Sequence, residues 1–542
     1  MISMPYCQPP DNPTLGSLLA GYGYDGDTCS LFEDVILPFR LMPHQQLGLH
    51  YGLYYNRFGL FFEPRTGKTV VMQLLAIFYA RFGIGTVQIM PPGLFHQFVR
   101  DYEAIQGHGL DIHVLNEPPA KREKLFSKWT KHPETRPDVI LLSQAIYRAH
   151  WQELYLHKFR NLHFDECHQG LMDDSNKISK SIRSFVMQNK DNRLVLSTGT
   201  PIPSRVENVY GIVRLINPEA YFSKTSFENA HVVKKKIFVP DSARGGYAQR
   251  PILVVSHYQR LDLLNENLYA RAIYASKREV LNLDAPNIQI VPFELHVAHR
   301  TLYARLLRER VLFLEEQDAV LDARAAQKLR QTALQLISCP EVYDPKIGPK
   351  KNGLYETLHD LLGSLDVERN KVVVFANYTQ SVEGIARTFQ DLDPVTVYGP
   401  NGARRNAENV EYFRQSERCR LMVANPVSGG VGFKLGDVCT TVIFAEPVSS
   451  PGQFDQALSR VMLKGQTEPV LCYILKAEGT LAPLAIESMI GRVKDINAVL
   501  RVSKSIFSRL LGEEPLDESE RELGVEKSED PIEDGWEIVE AA

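Results

Sequence analysis

FFEPRTGKTVV, residues 61–71, is the stretch on which the fold turns. Its second half, TGKT, reads as a phosphate-binding loop, in which backbone N–H groups at a helix N-terminus cradle phosphate oxygens. The full G-x-x-x-x-G-K-[ST] pattern asks for a glycine six residues before the lysine, and Phe62 stands there. The flanks supply the context. Apolar GLFF (59–62) reads as a strand, and TVVMQLLAIFYARF (69–82) reads as an amphipathic helix. An ordinary turn before a helix is the competing reading, so the spacing of the downstream segments has to decide.

Outward from the loop, short apolar runs alternate with amphipathic stretches in two regions. The first holds GTVQIM (85–90), DVILLS (138–143), NLHF (161–164) and RLVLST (193–198). The second holds KVVVFA (371–376), VTVYG (395–399), RLMVAN (420–425), TVIFAE (441–446) and VLCYIL (470–475). Nearly continuous β-branched runs suit strands covered by helices on both faces. Two parallel-sheet α/β domains follow from this alternation. Residues 225–350 differ, with charged, helix-patterned sequence and a Pro/Gly/Lys-rich stretch, PKIGPKKNG (345–353), that reads as a linker.

The 542 residues, 44% hydrophobic and 23% charged, have the composition of a globular protein. There is no apolar run of about 18 residues, as a membrane span needs. The first residues, MISMPYCQPPDNPT, lack the n- and h-regions of a secretory signal. Seven scattered cysteines form no C-x-x-C, which points to a reducing intracellular compartment. The net charge of −4 is unevenly spread. Residues 513–540 carry thirteen Asp or Glu against Arg521 and Lys527, which makes −11 and leaves +7 on the rest. A mildly basic body can accept a polyanion, and the acidic end is expected to be disordered.

Several segments carry chemistry. Lys68 would reach the β- and γ-phosphates of a nucleotide, and the Thr69 hydroxyl would ligate magnesium. NLHFDECHQG (161–170) places Asp165 and Glu166 at the C-terminal edge of a strand, where open α/β sheets bind ligands. One carboxylate can hold the metal while the other orients or deprotonates water. In LVLSTGTPIP (194–203), Thr198, Gly199 and Thr200 could relay hydrogen bonds from the nucleotide site to a neighbouring domain; a plain turn is the alternative. In PGQFDQALSRVMLKGQ (451–466), a helix would put Gln456, Ser459 and Arg460 on nearly one face, and Arg460 could act as an arginine finger across a cleft.

In order, these segments resemble helicase superfamily two, most closely its Swi/Snf-type branch of DNA translocases, over roughly residues 35–505. LMPHQQLGL (41–49) resembles the opening motif, with Gln45 in the adenine-reading place. FFEPRTGKT resembles motif I (Arg65, Thr66, Gly67, Lys68, Thr69), and FDECH, with His168, resembles a DEAH-type motif II. TGTPIPSRVENVYGIVRLINP (198–218) looks like motif III, and YASKREVLNLDAP (274–286) like the basic segment before a Leu-Pro pair. KVVVFANYTQSVEGIA (371–386) resembles motif IV, SGGVGFKL, with Gly432, motif V, and QALSRVMLKGQ motif VI. Within the branch, FAEPVSSPGQFDQALSR is most similar to the annealing-helicase subgroup.

The resemblance implies two RecA-like lobes in tandem, with helical insertions between them. It also implies ATP and Mg2+ as cofactors, and duplex or branched DNA held by sequence-independent backbone contacts. The expected boundaries are an N-terminal extension (1–34), lobe 1 (35–224), a helical protrusion and linker (225–350), lobe 2 (351–510) and an acidic tail (511–542). The tail is a candidate surface for a basic protein partner. The implied activity is DNA-dependent ATP hydrolysis coupled to translocation. A nucleotide-gated clamp with little turnover and an RNA helicase are the alternatives. The chain departs from the branch at Phe62, Arg65 and Cys167, and at Leu463, where motif VI usually has a second arginine and Lys464 follows.

Overall fold

The computed structural model describes residues 14–500 except Arg65, Asp173, 241–248, 278–279, 281–285, 317–322, 349–350, 368–369, 427–434, Ser449, 463–465 and 467–468. Gly432, Leu463, Lys464 and the acidic tail thus lie outside the described residues, as does Arg65. Two parallel sheets organise the chain. In order, the first half supplies β1 (Arg57–Phe62), β2 (Gly85–Ile89), β3 (Ile112–Val114), β4 (Val139–Leu142), β5 (Phe159–Phe164) and β6 (Arg193–Ser197). An antiparallel ribbon comes next, β7 (Val232–Pro240) with β8 (Gln249–Tyr258), and then β9 (Ala272–Ala275). The second half supplies β10 (Asn287–Phe293), β11 (Val372–Phe375), β12 (Val395–Val397), β13 (Leu421–Ala424), β14 (Thr441–Phe444) and β15 (Leu471–Ala477).

The first sheet runs β3-β4-β2-β5-β6-β1-β9 and the second β10-β15-β14-β11-β13-β12. Every pairing in both is parallel, as expected for buried strands joined by helices. Alternation within a strand divides each core into two. On β1, Phe58, Leu60 and Phe62 enter one cluster while Phe61 enters the other. On β11, Val373 and Phe375 face one side, Val372 and Val374 the opposite one. This alternation keeps each sheet covered on both faces and leaves its C-terminal strand ends for ligands.

Residues 225–350, expected to be helices and linker, need correcting. They contain the ribbon, which belongs to neither sheet, and the two edge strands β9 and β10. Neither edge has a strong pattern, for a physical reason. β9 is only AIYA, and β10 (NIQIVPF) carries Pro292, a residue tolerated at sheet edges because it cannot donate to a ladder. Within the helix-patterned sequence stand two helices, Val297–Glu316 and Ala323–Ser338. Leu302, Tyr303, Leu336 and Ile337 anchor them in the core of the second lobe. The supposed linker ends packed, since Asn352 is fully buried, donates to Ser338 O (3.1 Å) and caps the helix Gly353–Ser364.

Two further segments tie the molecule together. Leu15, Leu19 and Phe32, within the expected N-terminal extension, are fully buried in the core of the first lobe. At the other end, the helix Ala482–Leu500 leaves the second sheet and sends Ile496 and Val499 into the core of the first lobe. Asn265 Nδ2 donates to Val499 O at that contact. Among the described residues, no helix is long and apolar enough to cross a membrane.

Candidate nucleotide site

β5, β6 and β1 are neighbours in the first sheet, so the loops after them meet at one edge. These are the segments bearing Asp165, Thr198 and Lys68. The loop after β1 begins with Phe62, whose side chain is fully buried against His44 (ring centroids 4.9 Å apart) and beside Gly48. Only its backbone faces the loop, and Phe62 O accepts from Lys68 Nζ at 2.9 Å. The residue that breaks the sequence pattern therefore works as core. Gly67 holds φ +90°, a left-handed conformation suited to glycine, and caps the helix Lys68–Arg81. A Cβ there would stand 2.0 Å from Gln45 Nε2. Thr69 is half-buried in the first turn of that helix.

Gln45 spans the loop. Its Nε2 donates to Thr66 O (3.1 Å), its Oε1 accepts from Met42 N (2.9 Å), and His44 Nε2 also meets Thr66 O (2.7 Å). One amide N–H and one lone pair of Gln45 remain for a further contact by its chemistry. Thr66 is buried, and its hydroxyl donates to Glu63 O at 2.8 Å.

Asp165 is buried at the end of β5. Its backbone N–H donates to Ile89 O (2.8 Å), and its Oδ1 accepts from Ser197 Oγ (2.9 Å). Burial and the neighbouring Glu166 carboxylate push its pKa up to about 6 against the opposing pull of Lys68. A carboxylate held short of water beside one ammonium is suited to a cation. Glu166 is a non-glycine residue at φ 47°, a conformation that costs energy and recurs at functional sites. His168 Nδ1 lies 2.8 Å from Thr198 Oγ1, 3.3 Å from Thr200 Oγ1 and 3.4 Å from Glu166 Oε2. Burial and Lys68 depress its pKa to about 4, so the ring is neutral at pH 7. Thr198 N in turn donates to Leu60 O (3.2 Å), and a Cβ on Gly199 would meet Pro64 Cδ at 2.7 Å. The turn after β6 is thus pressed between the loop after β1 and the carboxylates after β5.

On the second lobe, the helix Pro451–Ser459 begins against that same turn. Gly452 N approaches Pro203 O (3.5 Å), and a Cβ on Gly452 would lie 3.4 Å from Thr200 Cγ2. Gln456 is half-buried, and its carbonyl accepts from Ser459 Oγ (2.8 Å). Arg460 is buried as the residue capping the helix rather than within it, and its Nη2 donates to Pro426 O (3.4 Å) in its own lobe. Gln45, Thr66, Gly67, Lys68, Asp165, Glu166, His168, Thr198, Gly199 and Thr200 are therefore gathered at one sheet edge. Gln456 and Arg460 are not brought to that edge: they lie toward the far end of the helix whose start, at Gly452, meets the Thr200–Pro203 turn.

Three residues of this constellation escaped sequence reasoning: Glu63, Ser197 and Lys277. Glu63 receives hydrogen bonds from Tyr274 OH and from Lys277 N (2.8 Å). Glu63 falls outside the TGKT pattern, so no local signal marks it. Ser197, one residue before Thr198, carried no motif. Lys277 sits in the basic segment after β9, whose contact with the loop only the sheet order creates.

The family model for the SNF2-related domain matches residues 66–341. An uncharacterised ATP-dependent helicase of Mycoplasma pneumoniae is 22% identical over 495 residues, which cover 88% of this chain and 44% of that protein. A DNA repair and recombination protein, RAD54-like, of Drosophila pseudoobscura pseudoobscura is 24% identical over 63% of this chain and 46% of its own length. The chain thus spans about half the length of these relatives. Among solved structures, the Sulfolobus solfataricus SWI2/SNF2 ATPase core in complex with dsDNA matches 85% of this chain and 97% of that one, at TM-score 0.36 and 17% identity.

Proposed function

Because the chain belongs to the family of SNF2-related domains, we propose that it is an ATP-dependent enzyme that moves on or remodels duplex or branched DNA. The observation that carries this reading is the convergence of Lys68, Asp165, Glu166 and the Thr198–Thr200 turn at one sheet edge, with the helix Pro451–Ser459 of the second lobe laid against that turn. The residues fit ATP and Mg2+. Gly67 makes the left-handed turn that opens the helix Lys68–Arg81, and burial with the Glu166 charge leaves the Asp165 carboxyl with more negative charge around it than Lys68 offsets.

In this reading Gly67 and the start of the helix Lys68–Arg81 receive phosphate oxygens through backbone N–H groups, while Thr66, whose own N–H donates to Glu63 O (3.3 Å), shapes the loop. The Lys68 ammonium exchanges Phe62 O for phosphate. Asp165 and Thr69 hold Mg2+, which when bound offsets negative charge on the phosphates. Glu166 orients or deprotonates the attacking water. Gln45 uses its remaining N–H and lone pair on the nucleobase. Arg460 stabilises charge developing on the γ-phosphate, brought in as the helix Pro451–Ser459 shifts along the Thr198–Pro203 turn. His168, neutral, links the carboxylates to that turn and so to the second lobe. Arg65 and Gly432 are proposed as further nucleotide contacts on the resemblance alone.

DNA as the track is supported by the family, by the RAD54-like relative and by the +7 charge outside the acidic end. The test is ATP hydrolysis measured with no nucleic acid and with single-stranded, duplex, forked and RNA substrates. Stimulation by duplex or forked DNA is expected. Equal rates with and without every DNA would remove the basis for translocation, and phosphate retained in a single turnover would favour a clamp.

A further inference from the structure

We propose that Lys277 is a positioning residue that couples the phosphate loop to the Arg460 end of the second lobe. The proposal rests on the ATPase reading above. Lys277 follows β9, the edge strand beside the loop strand β1, and is only 3% exposed. Its two ends serve different lobes. Its backbone N–H donates to Glu63 Oε2 (2.8 Å), while its Nζ donates to Ser459 O (3.1 Å) and to Met462 O. Those two carbonyls flank Arg460 at the C-terminus of the helix Pro451–Ser459, where carbonyls lack helical partners and the helix dipole is negative.

The loop end of this connection is equally fixed. Glu63 accepts from Tyr274 OH at its other oxygen, its backbone N–H donates to Ala275 O (3.0 Å), and its carbonyl takes the Thr66 hydroxyl (2.8 Å). A continuous set of hydrogen bonds therefore runs from Thr66, beside Lys68, through Glu63 and Lys277 to the backbone on both sides of Arg460. Burial, and after it the charge of Glu63, raise the pKa of Asp455 on the same helix.

A buried ammonium is costly unless its partners are held in place. Lys277 meets that condition only while the helix of the second lobe lies where it does. Its bonds consequently favour one lobe arrangement and release when the lobes part. Lysine suits the task, because a flexible stem with three donors can hold two carbonyls that diverge from one another.

Lys277→Met keeps the stem and removes the ammonium. It is expected to lower kcat by about tenfold or more, as loss of positioning does, while affinity for a fluorescent ATP analogue changes less than about twofold. Lys277→Arg should recover part of kcat. Without nucleotide, small-angle scattering should give Lys277→Met a larger radius of gyration than the wild type. Should Lys277→Met fail to fold, Glu63→Gln, which removes the opposing charge but keeps the shape, is expected to show the same split between kcat and nucleotide affinity. Unchanged kcat in the folded variant, equal radii, or affinity falling as far as kcat would each overturn the proposal. A wild-type protein that hydrolyses no ATP under any condition would instead overturn the ATPase reading itself.

Discussion

At the scale of single residues, the loop after β1 shows how one position can mislead and its neighbour can inform. Phe62 occupies a place where the loop pattern has glycine, yet its fully buried ring fills space against His44 and Gly48. Phe62→Ala is therefore expected to destabilise the protein by about 3–5 kcal/mol in denaturant unfolding. Lys68→Ala should abolish ATP hydrolysis, with the unfolding midpoint little changed because its ammonium makes a single backbone contact. Glu166→Gln should lower kcat by at least about 100-fold, on the scale of general-base loss, while nucleotide binding persists.

Asp165 supplies a pH signature. Its folded pKa, about 6, lies above the ordinary 3.8, so the folded state holds the proton more tightly than the unfolded one. Stability attributable to this group should fall as pH rises from 3.8 to about 6. If Asp165 acts as the carboxylate, activity should rise as pH passes upward through about 6. Raising Mg2+ should move that acid limb of the rate profile to lower pH, because metal and proton compete for one carboxyl. His168 would not contribute, since it takes up a proton only near pH 4. An acid limb insensitive to Mg2+ would separate Asp165 from metal binding.

At the scale of elements, the helix Pro451–Ser459 matters for where it starts. Gly452 leaves just enough room for a methyl group against Thr200 and Pro203, with the nearest atoms 3.4 Å from its ideal Cβ. Gly452→Ala should accordingly be near neutral. Gly452→Leu must push the helix off the turn and is expected to reduce DNA-stimulated ATPase more than basal ATPase. A leucine variant with unaltered stimulation would mean that this contact plays no part in coupling. Strands and helices of this kind were legible because their periodicity is strong: all ten strands read from apolar runs, GLFF included, are present, their ends shifted by at most two residues. The edges β9 and β10 were not legible, since a strand with one partner needs less apolar sequence.

At the scale of the whole molecule, the described residues that join the two lobes include Lys277, Gly452 and the final helix with Ile496 and Val499. Lobe movement would have to shift these joints. If DNA is held by its phosphates across both lobes, the logarithm of DNA affinity should fall linearly with the logarithm of salt concentration. Basal hydrolysis should change little over the same range, and a salt-independent affinity would contradict phosphate-led binding.

The sequence by itself determined the TGKT loop between strand and helix, the acidic pair at a strand end, the Thr198–Thr200 turn and the two-sheet class, because each depends on local pattern and on spacing along one strand–loop–helix unit. Only the tertiary structure decided that Phe62 is core, that Glu63 and Ser197 brace the site, and that Lys277 reaches across the lobes. Those facts depend on which strand lies beside which. Strand order is set by packing over long separations, such as Glu63 with Lys277 at the sheet edge, and no local pattern encodes it.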